Sequence, residues 1–341
     1  MDSISNIDTA PEIKHNNTTM ERMLDFIIAL LPACVFGCIL FGIRAAFVLL
    51  ATVAGALISE FLWNKIRKQS LTIGDLTAAA IGLLLGMNLP STFPIWLAAI
   101  SGAFAIIVVK LLLGEIAGFA LNPVITVRIL LAAIFPRLMN NFIEPVSYMP
   151  VSSATPLVSE TTPIFKNLFF GLHSGCIGET SSFLLLVGGL YLVLRRVINP
   201  IIPLCFVGTV ALGTVIWGGN LEVSLFGGGL MLGAIFIATD SSISPKTKIG
   251  KLIFGVCCGI ITFALRQFTP LPEGTAYAIL GMNILYIAIS KLDLLKIKEK
   301  AVEIFSVIGK KIKEVFTALI GFINEKIIKK IKFKFGRKNG S

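Results

Sequence analysis

Apolar runs dominate the chain, separated by short polar or Gly/Pro-bearing breaks. Ten of them read as candidate helices at roughly 24–42, 45–63, 72–89, 94–113, 122–138, 181–198, 201–217, 227–240, 250–266 and 274–291. Runs of about 17–25 apolar residues are what a bilayer-crossing helix needs. The eighth run is short and opens on Gly227-Gly228-Gly229, the pattern of a broken helix lining a protein cavity. Two polar-rich regions stand apart: a loop over 139–180, and a tail over 292–341. In the tail, Ile304, Phe305, Ile308, Ile312, Val315, Phe316, Leu319 and Ile323 recur at helical spacing with lysines opposite. That pattern reads as a helix lying on an anionic lipid surface or docked on a partner subunit.

The expected fold class is therefore an all-α polytopic membrane protein. Its expected parts are an N-terminal segment 1–22, a membrane domain 23–291 and the basic tail. "GLLLGM" from Gly82 and "GLMLGA" from Gly229 open similar successions of spans that run in opposite directions. This predicts an inverted five-plus-five repeat, an arrangement that places ligands near the midplane beside broken helices.

Composition agrees with that reading. Hydrophobic residues make up 55% and charged residues 14% of the 341, against about 25% charged in soluble domains. The stretch before Leu24 has no basic region followed by an apolar one, so no cleavable signal is expected.

The net charge of +11 is uneven: Lys291–Ser341 holds 13 Lys and 1 Arg against 1 Asp and 4 Glu. With the N-terminus in the cytoplasm, the short inner loops carry eleven Lys/Arg and the outer ones four, Arg44, Arg137, Lys166 and Arg266. Positive charge favours the cytoplasmic side. Both termini are therefore expected inside and 139–180 outside, with lipid, not nucleic acid, as the surface the basic tail meets.

The six cysteines show no CxxC or Cys/His ligand spacing, which argues against a metal site confined to this chain. Cys34 and Cys38 share a helix face and read as small packing residues, or as part of a site shared with another subunit. No GxGxxG stands after a strand to bind NAD, so a self-contained enzyme is not expected.

Inside the expected external loop lies "PVSSATPL", residues 150–157. Small neighbours and Pro156, which biases Thr155 toward extended backbone, present the Thr155 hydroxyl openly. Taken alone the stretch is also an ordinary polar loop. Together with "GCIGETSS" (175–182), "GGGLMLGAIFIATDSSISPKTKIGKLIFG" (227–255), "LNPVITVR" (121–128) and "LPEGTAYAILGMN" (271–283), it resembles the D-type subunits of Rnf complexes, the ion-translocating ferredoxin:NAD oxidoreductases. The chain is similar, more distantly, to the B-type subunits of sodium-translocating NADH:quinone reductases.

The resemblance implies FMN esterified through its phosphate to Thr155 by a flavin transferase that reads Ser152, Ser153 and Ala154. It also implies a non-covalent riboflavin nearer the inner side. The implied partners are an external FMN-bearing subunit and membrane iron–sulfur subunits, in a prokaryotic cell membrane. Two positions depart from the family pattern. Met149 stands where many such motifs carry Asp, and Val127 stands where Gly often precedes the arginine.

Charge inside a bilayer is costly and marks functional sites. Arg128 could pair with a flavin phosphate, with an anionic flavin ring, or with Glu115 or Glu179. Glu179 and Thr180 could hydrogen-bond an isoalloxazine edge or cap the sixth span. Asp240 could belong to the second flavin site or the ion path, or simply close a helix. Glu273 and Asn283 flank the tenth span and mirror Asn122, a candidate cofactor contact. A rival reading, a flavin-free solute channel or secondary transporter, would suit the same repeat; it would have no use for Thr155.

Overall fold

The computed structural model describes residues 18–68, 72–116, 121–143, 165–179, 181–240, 243–269 and 273–291. Ser152, Ser153, Ala154, Thr155, Thr180, Met149 and the tail lie outside these. The chain divides into units Met1–Ile287 and Ala288–Ser341. The first unit holds every described helix save the final turn of the last, which is the described part of the second.

Helix α1 (Thr19–Phe41) begins a turn earlier than hydropathy suggests. Thr18 and Glu21 form a reciprocal capping box that satisfies two otherwise unpaired N–H groups. Gly42, at φ 78°, turns the chain directly into α2 (Ile43–Arg67). A 3-10 turn at Ile73–Asp75 leads to α3 (Thr77–Met87), whose first residue donates its N–H to Asp75 at 2.8 Å. Helix α4 (Ile95–Phe104) continues as a π-helix through Ile116. Helix α5 (Pro123–Ile134) starts on Asn122, whose side-chain oxygen accepts from the N–H groups of Val124 and Ile125, while Pro123 occupies the first helical position. A short α6 (Pro136–Met139) and α7 (Phe165–Phe170) flank residues 144–164.

The second half repeats the plan. Helix α8 (Ser182–Leu194) is followed by α9 (Ile201–Trp217). The eighth run is broken as predicted. Helix α10 (Leu221–Phe226) ends at Gly227, Gly228 adopts φ 67°, and α11 (Leu230–Leu232) continues as a π turn over Gly233–Ile237. Helices α12 (Lys248–Phe268) and α13 (Gly274–Lys291) complete the described chain.

Among the described residues, four helices are long and apolar enough to cross a membrane: α1, α2, Ile95–Gly114 and α12. Helices α3, α5, α8, α9 and Gly274–Ala288 are apolar but shorter. Among the described residues the protein is a helical, polytopic membrane protein. Its outer surface carries Ile39, Ile43, Leu194, Leu204 and Ile216 exposed, as expected where lipid replaces water.

The repeat is visible in packing. Helix α2 lies against α4, and α9 against α12. A methyl group at Gly102 of α4 would overlap the carbonyl of Thr52, and one at Gly255 of α12 would come within 2.9 Å of the Ile202 carbonyl. Small residues let the two backbones meet, at equivalent places in the two halves.

Part of the 139–180 region packs into the fold: residues 173–179 are all buried. This segment folds back against the end of α3. The Ile177 N–H donates to the Leu89 carbonyl at 3.1 Å, and that of Gly178 to Met87 at 2.8 Å. The start of the loop is tied to the same turn, since the Thr92 hydroxyl donates to the Asn141 carbonyl at 2.6 Å. A buried backbone must find partners, and the open end of α3 supplies them.

Candidate functional site

Arg128 lies six residues into α5 from the Asn122 cap, about 9 Å along the axis at 1.5 Å per residue. Its Nη1 donates to Glu179 Oε1 at 2.7 Å and to Asn88 Oδ1 at 2.6 Å. Its Nε faces Glu273 Oε1 at 3.6 Å, an ion pair too long for a hydrogen bond. Arg128 is 7% exposed and Glu179 4%. Four elements therefore converge on one guanidinium: the end of α3, the middle of α5, the buried 173–179 segment and the entry to α13.

Each partner is held by its own local structure. Asn88 closes α3 and donates its Nδ2 to the Leu84 carbonyl at 2.7 Å, which turns its oxygen toward Arg128. Glu179 stands three residues before α8, but Ser181 is the residue that caps that helix. Of the alternatives open for Glu179, the cap is thus excluded. The space for its carboxylate comes from Gly229, where a Cβ would sit 2.7 Å from Oε1. For Arg128, Glu179 is the partner found; the Glu115 side chain lies outside the described ones.

A second arginine grips the broken span. Arg266 in the last turn of α12 donates to the carbonyls of Ser224 at 2.7 Å and Gly227 at 3.4 Å, and to Thr275 Oγ1 at 3.2 Å. A cation on these carbonyls satisfies the groups that α10 leaves unpaired where it stops. Arg266, expected as an outer-loop charge, is instead half-buried and works inside the fold. Arg128 and Arg266 balance Glu179 and Glu273 around a small cavity lined by Asn88, Arg128, Gly229, Gly233, Glu273 and Thr275, among others.

Asn122 and Asp240 meet elsewhere, Nδ2 to Oδ2 at 3.5 Å. The Asp240 carbonyl accepts from the N–H groups of Ile243 and Ser244, closing the turn after the π segment. The predicted residues thus fall into two groups, Arg128 with Glu179 and Asn122 with Asp240. Neither Asn122 nor Asp240 lines the cavity beside Arg128.

Sequence reading missed Asn88, the inward role of Arg266 and two further buried carboxylates. Glu60, 1% exposed, pairs with Lys110 at 2.7 Å and accepts from the Thr72 hydroxyl, which in turn accepts from Asn64. Asp25 accepts from the Tyr191 hydroxyl at 2.8 Å and pairs with Arg195 at 3.1 Å. Both were detectable as single acids inside apolar runs. Asn88 gave no such signal, because Asn closes helices throughout soluble and membrane proteins.

The family described as NQR2, RnfD, RnfE matches residues 6–294. The chain is 35% identical over 290 residues to the D-type subunit of the Na+-translocating ferredoxin:NAD+ oxidoreductase complex of Acetobacterium woodii, covering 82% of this chain and 90% of that one. It is 34% identical over 304 residues to the D-type subunit of the proton-translocating ferredoxin:NAD+ oxidoreductase complex of Clostridium ljungdahlii, covering 82% and 92%. It is 33% identical over 312 residues to the D-type subunit of the ion-translocating oxidoreductase complex of Stutzerimonas stutzeri, covering 77% and 87%. With a family match over most of its length and relatives above 30% identity across more than three quarters of both chains, the chain belongs to the NQR2, RnfD, RnfE family.

Proposed function

We propose that this chain is the D-type membrane subunit of an Rnf complex and carries FMN covalently on Thr155. In this reading it relays electrons within an assembly that moves them between ferredoxin and NAD and drives Na+ or H+ across the prokaryotic cell membrane. The observation that carries the reading is the "SSATP" motif at 152–156 in a chain of this family. It sits between two segments moored on the α3–α4 turn.

The donor set beside Arg128 fits a flavin only in part. The guanidinium already serves Glu179 and Asn88 through Nη1. An arriving phosphate would have to compete for it, so the phosphate is best held by the Thr155 ester itself. Asn122 and Asp240 bring an amide donor and a carboxylate acceptor together, a pairing that the alternating edge of a non-covalent riboflavin would have to exchange for its own. When bound, the flavins supply one-electron chemistry; the chain orients them and excludes water. The partners are the other members of the complex, among them an external FMN-bearing subunit and iron–sulfur subunits, with a flavin transferase acting during maturation.

Mass spectrometry of the 141–166 peptide, from cells making a flavin transferase, tests the assignment. FMN mass on Thr155, lost in Thr155→Ala, is expected. An unmodified peptide would instead favour the flavin-free transporter. A label on Ser152 or Ser153 would move the residue but keep the function.

A further inference from the structure

Two buried polar atoms at the four-element junction have no hydrogen-bond partner in the fold: Nε of Arg128 and Oε2 of Glu273. Both residues line the same cavity, and Arg128 is more than nine-tenths buried. Buried N–H and carboxylate groups are seldom left unmatched. Where two such atoms face a polar void, the usual solution is an ordered water with two to four partners.

A third partner is in place. Thr275 Oγ1 accepts from Arg266, which leaves its own O–H to donate into the cavity. A water there would accept from Arg128 Nε and Thr275 and donate to Glu273. Arg128 Nε and Glu273 Oε2 would then both be matched, while Arg266 Nε, also buried without a partner, stays outside this bridge.

The two carboxylates are not equivalent. Glu179 takes a direct, short bond from the guanidinium at 2.7 Å, whereas Glu273 stands off at 3.6 Å. One guanidinium cannot hold two acids equally, and the acid with the longer contact holds its charge less firmly. The groups that face Glu273 electrostatically are Arg128 from α5, Glu179 and Cys176 from the buried segment, and Tyr277 on its own helix; Arg266 reaches its neighbour Thr275 from α12.

We propose that the cavity beside Arg128 holds a water bridging Arg128 Nε to Glu273 Oε2, and that Glu273 takes up and releases a proton through it. In uptake the bridging water gives one proton to Oε2, so that one of its O–H bonds breaks as the O–H of the neutral acid forms, and it regains a proton from solvent water; release runs the same exchange backwards. The neutral acid then donates to the water, and the Thr275 hydroxyl turns away, so that the water still accepts only two hydrogen bonds. The junction passes from two arginines against two carboxylates to two against one, so a unit of positive charge appears beside the break in the eighth span. A charge that comes and goes there can compensate an electron or a cation arriving nearby. The proposal does not depend on the flavin assignment.

The test uses the assembled complex in lipid, followed by infrared difference spectroscopy across a pH titration. We expect a protonated-carboxyl carbonyl band that falls as pH rises, is lost in Glu273→Gln, and is kept but shifted in Glu273→Asp. A native complex without such a band, or a band unchanged in Glu273→Gln, overturns the proposal. Should Glu273→Gln not assemble, a high-resolution density map of the native complex decides it. Density for a water between Nε and Oε2 supports the bridge, and a direct Arg128–Glu273 hydrogen bond with no water rejects it. Repeating the titration on the Thr155→Ala complex, which lacks the covalent FMN, separates this question from the flavin assignment.

Discussion

The Glu179 carboxylate that bonds Arg128 lies directly against Gly229. The carboxylate oxygen that bonds the guanidinium occupies the place where a Cβ at 229 would lie 2.7 Å away. The break in the eighth span is therefore needed for more than bending a helix: it makes room for an ion pair.

Gly229→Ala should push the Glu179 carboxylate off Arg128 and leave two buried charges poorly matched. Breaking a buried pair costs about 3–5 kcal/mol. A marked fall in the thermal unfolding temperature of the purified complex is expected, with partial recovery in Gly229→Ala/Glu179→Asp. A variant as stable as the native protein would mean that the pair contributes little.

Much of this architecture was legible in the chain. The order of the helices followed from the apolar runs, though ends such as those of α1 and α3 moved by about a turn, set by the Thr18 cap and the Asp75 acceptor; the break followed from three consecutive glycines and the repeat from two short similar stretches. Arg128 and Glu179 were visible because charge in an apolar setting is rare. Asn88 and Gly229 were not, because their importance comes from what approaches them in space. The 173–179 segment reads as loop because it is polar and rich in glycine. It is buried because the end of α3 offers its backbone partners, which no local pattern reveals.

The Glu60–Lys110 pair gives a second prediction. Lys110→Met alone strands a buried carboxylate and should destabilise by about 3–5 kcal/mol; Glu60→Gln/Lys110→Met should recover most of it. A double-mutant cycle on the complex measures the coupling. Additive losses would show the two side chains to be independent.

Topology is testable by labelling. A cysteine at 160 in place of Glu160 should react with an impermeant reagent added outside intact cells, and Lys68→Cys should not. The motive is the eleven-to-four distribution of basic residues. The reverse pattern would invert the protein in the membrane and remove Thr155 from the compartment in which the flavin is expected to be attached.

Truncation after Lys296 should leave FMN on Thr155 while weakening retention in the membrane or the complex. The tail is amphipathic and lysine-rich but carries no site chemistry. Complete loss of bound FMN from a truncated protein that still folds would assign the tail a role in maturation.

The two moorings on the α3–α4 turn set a limit on distance. Asn141 is tied to Thr92 and Ile177 to Leu89, so the chain that carries Thr155 leaves and returns at one spot. Ten residues separate Thr155 from Phe165, where described helix resumes. At about 3.3–3.6 Å per residue, the Thr155 backbone stays within roughly 36 Å of the start of that helix, and an attached group reaches farther only by its own length. A redox group attached at Thr155, as proposed, would on so short a leash sample its neighbours at an effective concentration on the order of millimolar. An electron carrier fixed there cannot be diluted away, and its encounters with donor and acceptor are governed by tether length instead of by diffusion through the compartment.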